Sequence, residues 1–219
     1  MFTGIIEALG SIQQVEQKGP DLSLTISTGS LDLSDVNLGD SIAVNGVCLT
    51  VVALFDQGFR ADVSSESLVH TRISDFQSGN AVNLEKALTL STRLGGHLVS
   101  GHVDGIGSVV KRFKEGRSIR FQIACNPSIH KYIADKGSIT IDGVSLTVTG
   151  LSDEGFALNI VPHTVTQTTI QTYQVGQKVH IEVDLMARYA ERLLGFGSEL
   201  KEPAASIDQT FLAEHGFLR

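Results

Sequence analysis

One stretch of this chain is written twice. Residues 41–54 read SIAVNGVCLTVVAL and residues 138–151 read SITIDGVSLTVTGL, with eight of the fourteen positions identical. The same offset of 97 residues pairs FTGIIEALGSI (2–12) with VSGHVDGIGSV (99–109), and GNAVNLE (79–85) with GQKVHIE (176–182). One offset held from end to end, with no insertion, means two copies of one domain. Each copy has roughly 90–100 residues, a size that can build its own core. Two similar surfaces have reason to hold two similar molecules. The positions where the copies differ then mark where those surfaces do different work.

Each copy reads as mostly β. Alternation and β-branched runs predict six short strands over 5–15, 22–27, 42–44, 47–55, 59–63 and 81–85, and again over 103–112, 119–124, 139–141, 144–151, 156–160 and 178–183. Many short strands punctuated by glycine predict a small closed barrel or a sandwich. Asn45-Gly46 and its repeat Asp142-Gly143 sit between strand-like runs. Both dipeptides accept positive φ at two successive positions and so predict two-residue type I′ hairpins.

Helix signals are few. Ser64-Ser65-Glu66-Ser67 reads as the cap of a short helix over a barrel end. Beyond the second copy, Leu185, Met186, Tyr189, Ala190 and Leu193 fall at helical spacing, with Gly195 and Gly197 expected to stop that helix and Pro203 to reinforce the break. Ser206-Ile207-Asp208-Gln209 reads as the capping box of a last short helix ending near Gly216. An amphipathic helix appended to two closed units reads as an oligomerisation element. The expected divisions are 1–97, 98–185 and a helical segment 186–219.

Charge and composition narrow the partners. A net charge of −7 over 219 residues argues against nucleic acid, which wants a basic face, and offers nothing to an anionic membrane. No apolar run approaches the ~20 residues needed to cross a bilayer. The start MFTGIIEALG has no basic segment followed by a hydrophobic one, so no signal peptide is expected. Cys48 and Cys125 do not occupy equivalent repeat positions and give no disulfide framework, so a reducing cytoplasm is the expected home. His70, His97, His130, His180 and His215 show no metal spacing, and there is neither a C-x-x-C nor a glycine-rich phosphate loop. A small organic ligand and no metal are therefore expected.

At this point the motifs resemble a known family. MFTGIIEALG, the junction GGHLVSGHVDGIG (95–107), the paired hairpins VNGVCLTV and IDGVSLTV, and VHIEVDLMARYAERLL (179–194) together resemble the riboflavin synthases of the α-chain type, a lumazine-binding family, over nearly the whole chain. The resemblance implies an all-β fold of two tandem six-stranded antiparallel Greek-key barrels, each holding one lumazine, with a C-terminal helix that builds a homotrimer. It implies a site shared between the first barrel of one subunit and the second barrel of a neighbour. The implied reaction, the last step of riboflavin biosynthesis, turns two 6,7-dimethyl-8-ribityllumazines into riboflavin and 5-amino-6-ribitylamino-uracil. No metal and no redox cofactor is implied; an association with lumazine synthase is. The rival reading is a non-catalytic antenna protein that holds lumazine or flavin without turnover.

Such a dismutation moves a four-carbon unit between two stacked rings. One ring loses a proton from its 7-methyl group and the other accepts a nucleophile at the neighbouring carbon. Positioning supplies much of the rate, and a proton shuttle, a hydroxyl or thiol and donors for the ring carbonyls supply the rest. Comparing copies suggests where these sit. Ile5 becomes His102, placing a titratable imidazole in one copy only. Cys48 becomes Ser145, a thiol against a hydroxyl, each just after the hairpin turn and each followed two residues on by a threonine, Thr50 or Thr147. Gly39 becomes Lys136, and Ala87 becomes Asp184. Phe2, by the resemblance, covers the pocket. The expected catalytic set is His102, Cys48, Ser145, Thr147, Thr50 and Asp184. The expected contacts to substrate add Gly4, Ile5 and Ile6 with their repeats Gly101, His102 and Val103, then Leu49, Leu146 and Lys136. They also add Asp62, Val63, Ser64, Ser65, Glu66 and Ser67, and Val161, Pro162, His163, Thr164, Val165 and Thr166. These two segments follow the fifth strand of each copy and offer backbone groups and hydroxyls to a pyrimidine edge and a ribityl chain.

Overall fold

The computed structural model of the chain describes residues 1–199, 212, 213 and 215–217. Six strands form in the first copy: β1 (Ala8–Lys18), β2 (Asp21–Ser27), β3 (Ser41–Val44), β4 (Val47–Phe55), β5 (Gly58–Val63) and β6 (Ala81–Lys86). Six more form in the second: β7 (Gly105–Glu115), β8 (Ser118–Ala124), β9 (Ser138–Ile141), β10 (Val144–Ser152), β11 (Gly155–Ile160) and β12 (Lys178–Val183). Each set closes into an antiparallel barrel, in the order β1-β2-β5-β4-β3-β6 and its repeat β7-β8-β11-β10-β9-β12. In the first barrel β3, β4 and β5 are successive neighbours and β6 returns beside β3, which is a Greek key. Closure leaves no edge strand to template aggregation.

Period-two alternation decides which face is which. On β4, Val47, Leu49 and Val51 point into the barrel and are buried, whereas Thr50 and Val52 point out and are exposed. Six strands enclose too little space for a ligand, and side chains fill it: Ile12, Leu24, Ile26 and Phe59 in the first barrel, Val109, Phe121, Ile123 and Phe156 in the second. Any site must therefore lie on the outside of a barrel wall. Even the irregularities are duplicated. Register shifts at Ile12/Gln14 and Val51/Ala53 recur at Val109/Lys111 and Val148/Gly150, which bends both barrels at matching places.

The hairpins form as expected. Asn45 and Gly46 have φ of 46° and 79°, and Asp142 and Gly143 have 43° and 83°. The two turns meet back to back. A Cβ added at Gly46 would fall 2.6 Å from the Gly143 nitrogen, and one at Gly143 would fall 2.8 Å from the Gly46 nitrogen. Glycine is required here both for its left-handed conformation and for this approach.

Around those turns the two copies clasp each other with the same bonds and different residues. Asn83 donates from its side chain to Asp142 O (2.8 Å) and accepts from Thr169 N–H (2.8 Å). Its repeat His180 lies 2.8 Å from Asn45 O through Nδ1 and accepts from Arg72 N–H at Nε2 (2.8 Å). Those two bonds fix a neutral imidazole protonated on Nδ1. Burial holds the His180 pKa below its ordinary range, against the pull of Asp142. Asp142 is buried too, accepting from Tyr173 O–H (2.5 Å) and from His180 N–H (2.8 Å).

The short helices follow capping chemistry. Ser64 caps α1 (Ser65–His70) by accepting from Ser67 N–H, as expected. An unexpected turn, α2 (Pro127–His130), opens on Asn126 as cap with proline in its first turn. The repeat of α1 is α3 (Pro162–Gln167). The last helix, α4 (Leu185–Glu199), does not stop at Gly195 and Gly197 but runs through both. A glycine inside a helix costs about 1 kcal/mol against alanine without breaking it. The capping box at 206–209 lies outside the described residues. The expected end near Gly216 carries a helix-closing pattern, with Gly216 at φ 80° and Phe217 N–H donating to Leu212 O. Residues 1–185 make one compact unit holding both barrels, and 186–219 make a second. No helix among the described residues is long and apolar enough to cross a membrane.

Candidate active site

The strands that open each copy start later than expected, at Ala8 and Gly105 rather than at 5 and 103. The reason lies on the last strand of each barrel, which pairs with the opening one. Glu85 on β6 is buried and accepts from Thr3 N–H (2.6 Å), Thr3 Oγ–H (2.7 Å) and Gly4 N–H (2.9 Å). Glu182 on β12 does the same for Ser100 and Gly101, at 2.6, 2.7 and 3.0 Å. These bonds take residues 3–4 and 100–101 out of the ladder. Burial raises the pKa of both carboxyls while the hydrogen bonds pull it down.

The freed segments cross over. Gly4 O accepts from Ser145 N–H (2.7 Å), so the opening of copy one lies on the second barrel. Gly101 O accepts from Cys48 N–H (2.9 Å), so the opening of copy two lies on the first. Ile6 packs against the second core and Val103 against the first. Gly4 (φ 75°) and Gly101 (φ 81°) allow the approach: a Cβ on either would sit 2.6 Å from the Cβ of Ser145 or Cys48. This crossing decides the neighbours of each expected residue. His102 belongs to the segment hydrogen-bonded to Cys48, and Ile5 to the one hydrogen-bonded to Ser145.

Two outer shelves result. The first gathers Cys48 and Thr50 of β4 with Gly101, His102 and Val103, and Leu49 points inward and is buried. Asp62 and Val63 end β5, and Ser64 to Ser67 begin α1 beyond it. Asp62 accepts from Ser23 Oγ–H (2.8 Å), and Ser65 N–H donates to Asp21 (2.8 Å), which ties this corner to β2. The second shelf gathers Ser145 and Thr147 of β10, Leu146 between them, and Gly4, Ile5 and Ile6. Val161 caps α3, which carries Pro162, His163, Thr164, Val165 and Thr166, with Val165 buried. Most of these side chains are exposed: Thr50, Ser64, Ser65, Glu66, His102, Thr147, Pro162 and His163 all face solvent. The Phe2 ring lies against the first shelf: a Cβ added at Gly101 would fall 2.9 Å from its Cε2. The residue is fully buried with Ala43, Val99 and Cys48, and exchanges backbone hydrogen bonds with Val99.

The second shelf holds a pairing that sequence reasoning missed. His97 is buried, its Nδ1 is 2.7 Å from Ser145 Oγ, and its Nε2 is 3.2 Å from Thr140 Oγ1. Burial lowers the His97 pKa, with the charge of Asp184 opposing. A hydroxyl against a neutral imidazole has a place to put its proton. Among the described residues no imidazole is hydrogen-bonded to Cys48.

A cavity of about 600 Å³ is lined by Thr3, Ile5, Ser41, Glu85, Ala87 and Arg93 among others. It lies in the first copy, and of the expected residues only Ile5 lines it. The repeats of Ile5 and Ala87 are His102 and Asp184. Lys136 is exposed and holds φ 61°, where its repeat Gly39 holds 95°. A lysine in that conformation costs on the order of 1 kcal/mol more than glycine. No group of three or more His, Cys, Asp or Glu among the described residues is arranged to hold a metal.

Comparison with known proteins places these features. The signature of the lumazine binding domain matches residues 3–87 and again 100–184. A riboflavin synthase of Photobacterium phosphoreum is 49% identical over 218 residues, covering 100% of both chains. One of Photobacterium leiognathi is 45% identical over the same span. Among solved structures, LumP complexed with riboflavin superposes with a TM-score of 0.77 at 26% identity, over 84% of this chain and 99% of that one.

Proposed function

Because the chain belongs to the lumazine binding domain family, we infer that it is an enzyme with the activity of riboflavin synthase. It dismutates two 6,7-dimethyl-8-ribityllumazines by four-carbon transfer, giving riboflavin and 5-amino-6-ribitylamino-uracil. The observation that carries this is identity of 49% to a riboflavin synthase with both chains covered from end to end. The antenna reading rests on a more distant likeness, 26% over 84% of the chain.

The geometry supports a division of labour. Each shelf takes one lumazine, with the ring along the β4 or β10 outer face and the ribityl chain toward α1 or α3. His102 serves as the acid–base group for the 7-methyl proton, since an imidazole exchanges protons near neutrality. Ser145 adds to the second ring or relays a proton, with His97 receiving the hydrogen of Oγ. Cys48 holds the equivalent place on the first shelf, and Thr50 and Thr147 donate to ring oxygens. Lys136 and Asp184 add charge that the first copy does not have.

Shelves this exposed cannot exclude water from a carbanion. The reading therefore includes a homotrimer in which the first barrel of one subunit faces the second barrel of the next. Met186, Tyr189, Leu193 and Leu194 leave large apolar groups exposed on α4, which supports that helix as the assembly element. Association with lumazine synthase, the source of the substrate, and a cytoplasmic location belong to the same reading.

Incubation with the lumazine alone tests the activity. Riboflavin absorbance should appear with two lumazines consumed per flavin formed. Tight binding without turnover would leave the antenna reading standing.

A further inference from the structure

The duplicated carboxylate bracket carries different cargo in its two copies. Glu182 accepts from Ser100 N–H and Oγ–H and from Gly101 N–H, and Ser100 Oγ in turn accepts from His102 N–H (3.2 Å). On the far side of His102, Asp104 accepts from Val183 N–H (2.6 Å), the residue after Glu182. The five residues 100–104 are thus pinned at both ends to β12 of the second barrel. Between the pins, Gly101 O receives Cys48 N–H and Val103 packs into the first core. His102 sits at the middle of a bridge whose foundation is one buried carboxylate.

We propose that Glu182, acting through Ser100, is the positioning residue that sets His102 over the first shelf. Glu182 has the reach for this, and its burial leaves no water to replace the bonds. It never meets substrate in this account, because it lies on the inner side of the bridge. Glu85 makes the matching bracket: Thr3 and Gly4 are held, and Ile5 N–H donates to Thr3 Oγ1 (3.1 Å). That bracket carries an isoleucine, so the first copy is a built-in control with the same bonds and no titratable cargo.

The inference rests on His102 being the acid–base group, and a double-mutant cycle separates the two claims. Glu182→Gln keeps the size and turns an amide NH2 toward a backbone N–H, two donors facing each other. Ser100→Ala keeps the carboxylate and its bonds to the backbone N–H groups, and deletes the two hydroxyl bonds that join Glu182 to His102 N–H. Glu85→Gln disturbs the other bracket. Each is made in the full-length wild type and in His102→Ala, with kcat and KM read from riboflavin formation and lumazine affinity from fluorescence titration. Expected for E182Q is a kcat loss of about tenfold to hundredfold, the scale of a misplaced catalytic group, with KM and affinity within about threefold. Ser100→Ala loses about three- to tenfold, the scale of the hydroxyl's hydrogen bonds. Both losses vanish in the His102→Ala background, while the E85Q loss has the same factor in both.

Losses for E182Q that multiply with those of His102→Ala overturn the inference and leave the acid–base reading intact. If E182Q does not fold, Ser100→Ala decides alone: no loss in the wild type, or equal loss in both backgrounds, overturns it. Full activity in His102→Ala overturns the acid–base reading and this inference with it.

Discussion

The first barrel and the second share one frame and differ in several of the side chains set on it. They share strand order, two register shifts at matching places, type I′ turns and a buried glutamate that pins the opening segment. Yet Ile5, Gly39 and Ala87 of the first stand opposite His102, Lys136 and Asp184 of the second. The lesson is that duplication supplied two equivalent supports, and side-chain changes on one of them supplied the chemistry. Crossing of the opening segments then delivers each copy's cargo to the other copy's barrel. The histidine of the second copy serves beside the cysteine of the first.

The comparison breaks most visibly at His102. His102→Ala should lower kcat by about 10²- to 10⁴-fold, the range of a lost general acid–base group, with lumazine affinity changed far less. Equal loss of both, measured by steady-state rates and fluorescence titration, would remove its proton-transfer role. Next come the turns at the seam. Gly46→Ala must fit a methyl 2.6 Å from the Gly143 nitrogen at φ 79°, and should cost about 2–3 kcal/mol or more in urea unfolding. Gly116→Ala, at φ 61° with open space around it, should cost only about 1 kcal/mol. Equal costs would mean that the seam yields.

The third contrast is between the two nucleophile positions. Ser145 has His97 hydrogen-bonded to its Oγ, and among the described residues no imidazole is hydrogen-bonded to the Cys48 thiol, so Ser145→Ala should lower kcat by about tenfold or more and Cys48→Ala by less. The reverse order would move the chemistry to the thiol. The smallest effect is at the clasp. In the folded chain His180 resists protonation, so the unfolded chain binds the extra proton below its ordinary pKa near 6.5, and stability falls as pH falls through that region. His180→Asn copies the solution that Asn83 already uses. Thermal unfolding between pH 7 and pH 5 should show a shallower decline in this variant than in the wild type, by about 1 kcal/mol or less. The wild-type slope persisting in the variant would assign it to other groups, His97 first among them.

Most of the architecture was legible because it is local. The strands follow from period-two burial, the turns from Asn-Gly and Asp-Gly, and α1 from Ser64. What the sequence concealed is long-range. The late start of β1 depends on Glu85, 82 residues from Thr3, although a glutamate kept at the end of both GNAVNLE and GQKVHIE was a usable sign. The partnership of His97 with Ser145 spans 48 residues, and among the described residues no imidazole is hydrogen-bonded to the equivalent Cys48. The short α2 was readable from Asn126-Pro127, a cap followed by a first-turn proline. The expected stop at Gly195 gave too much weight to a cost of about 1 kcal/mol. Which barrel His102 faces was not readable at all, because the crossing is a tertiary event.

The central claim is that one chain offers two separate shelves for two like rings. Isothermal calorimetry with a non-reacting lumazine analogue, on the intact assembly, reads this directly. The account predicts two analogues bound per chain at saturation, falling to one when Gly4 or Gly101 is replaced by a residue that blocks its shelf. A single analogue per wild-type chain would contradict it.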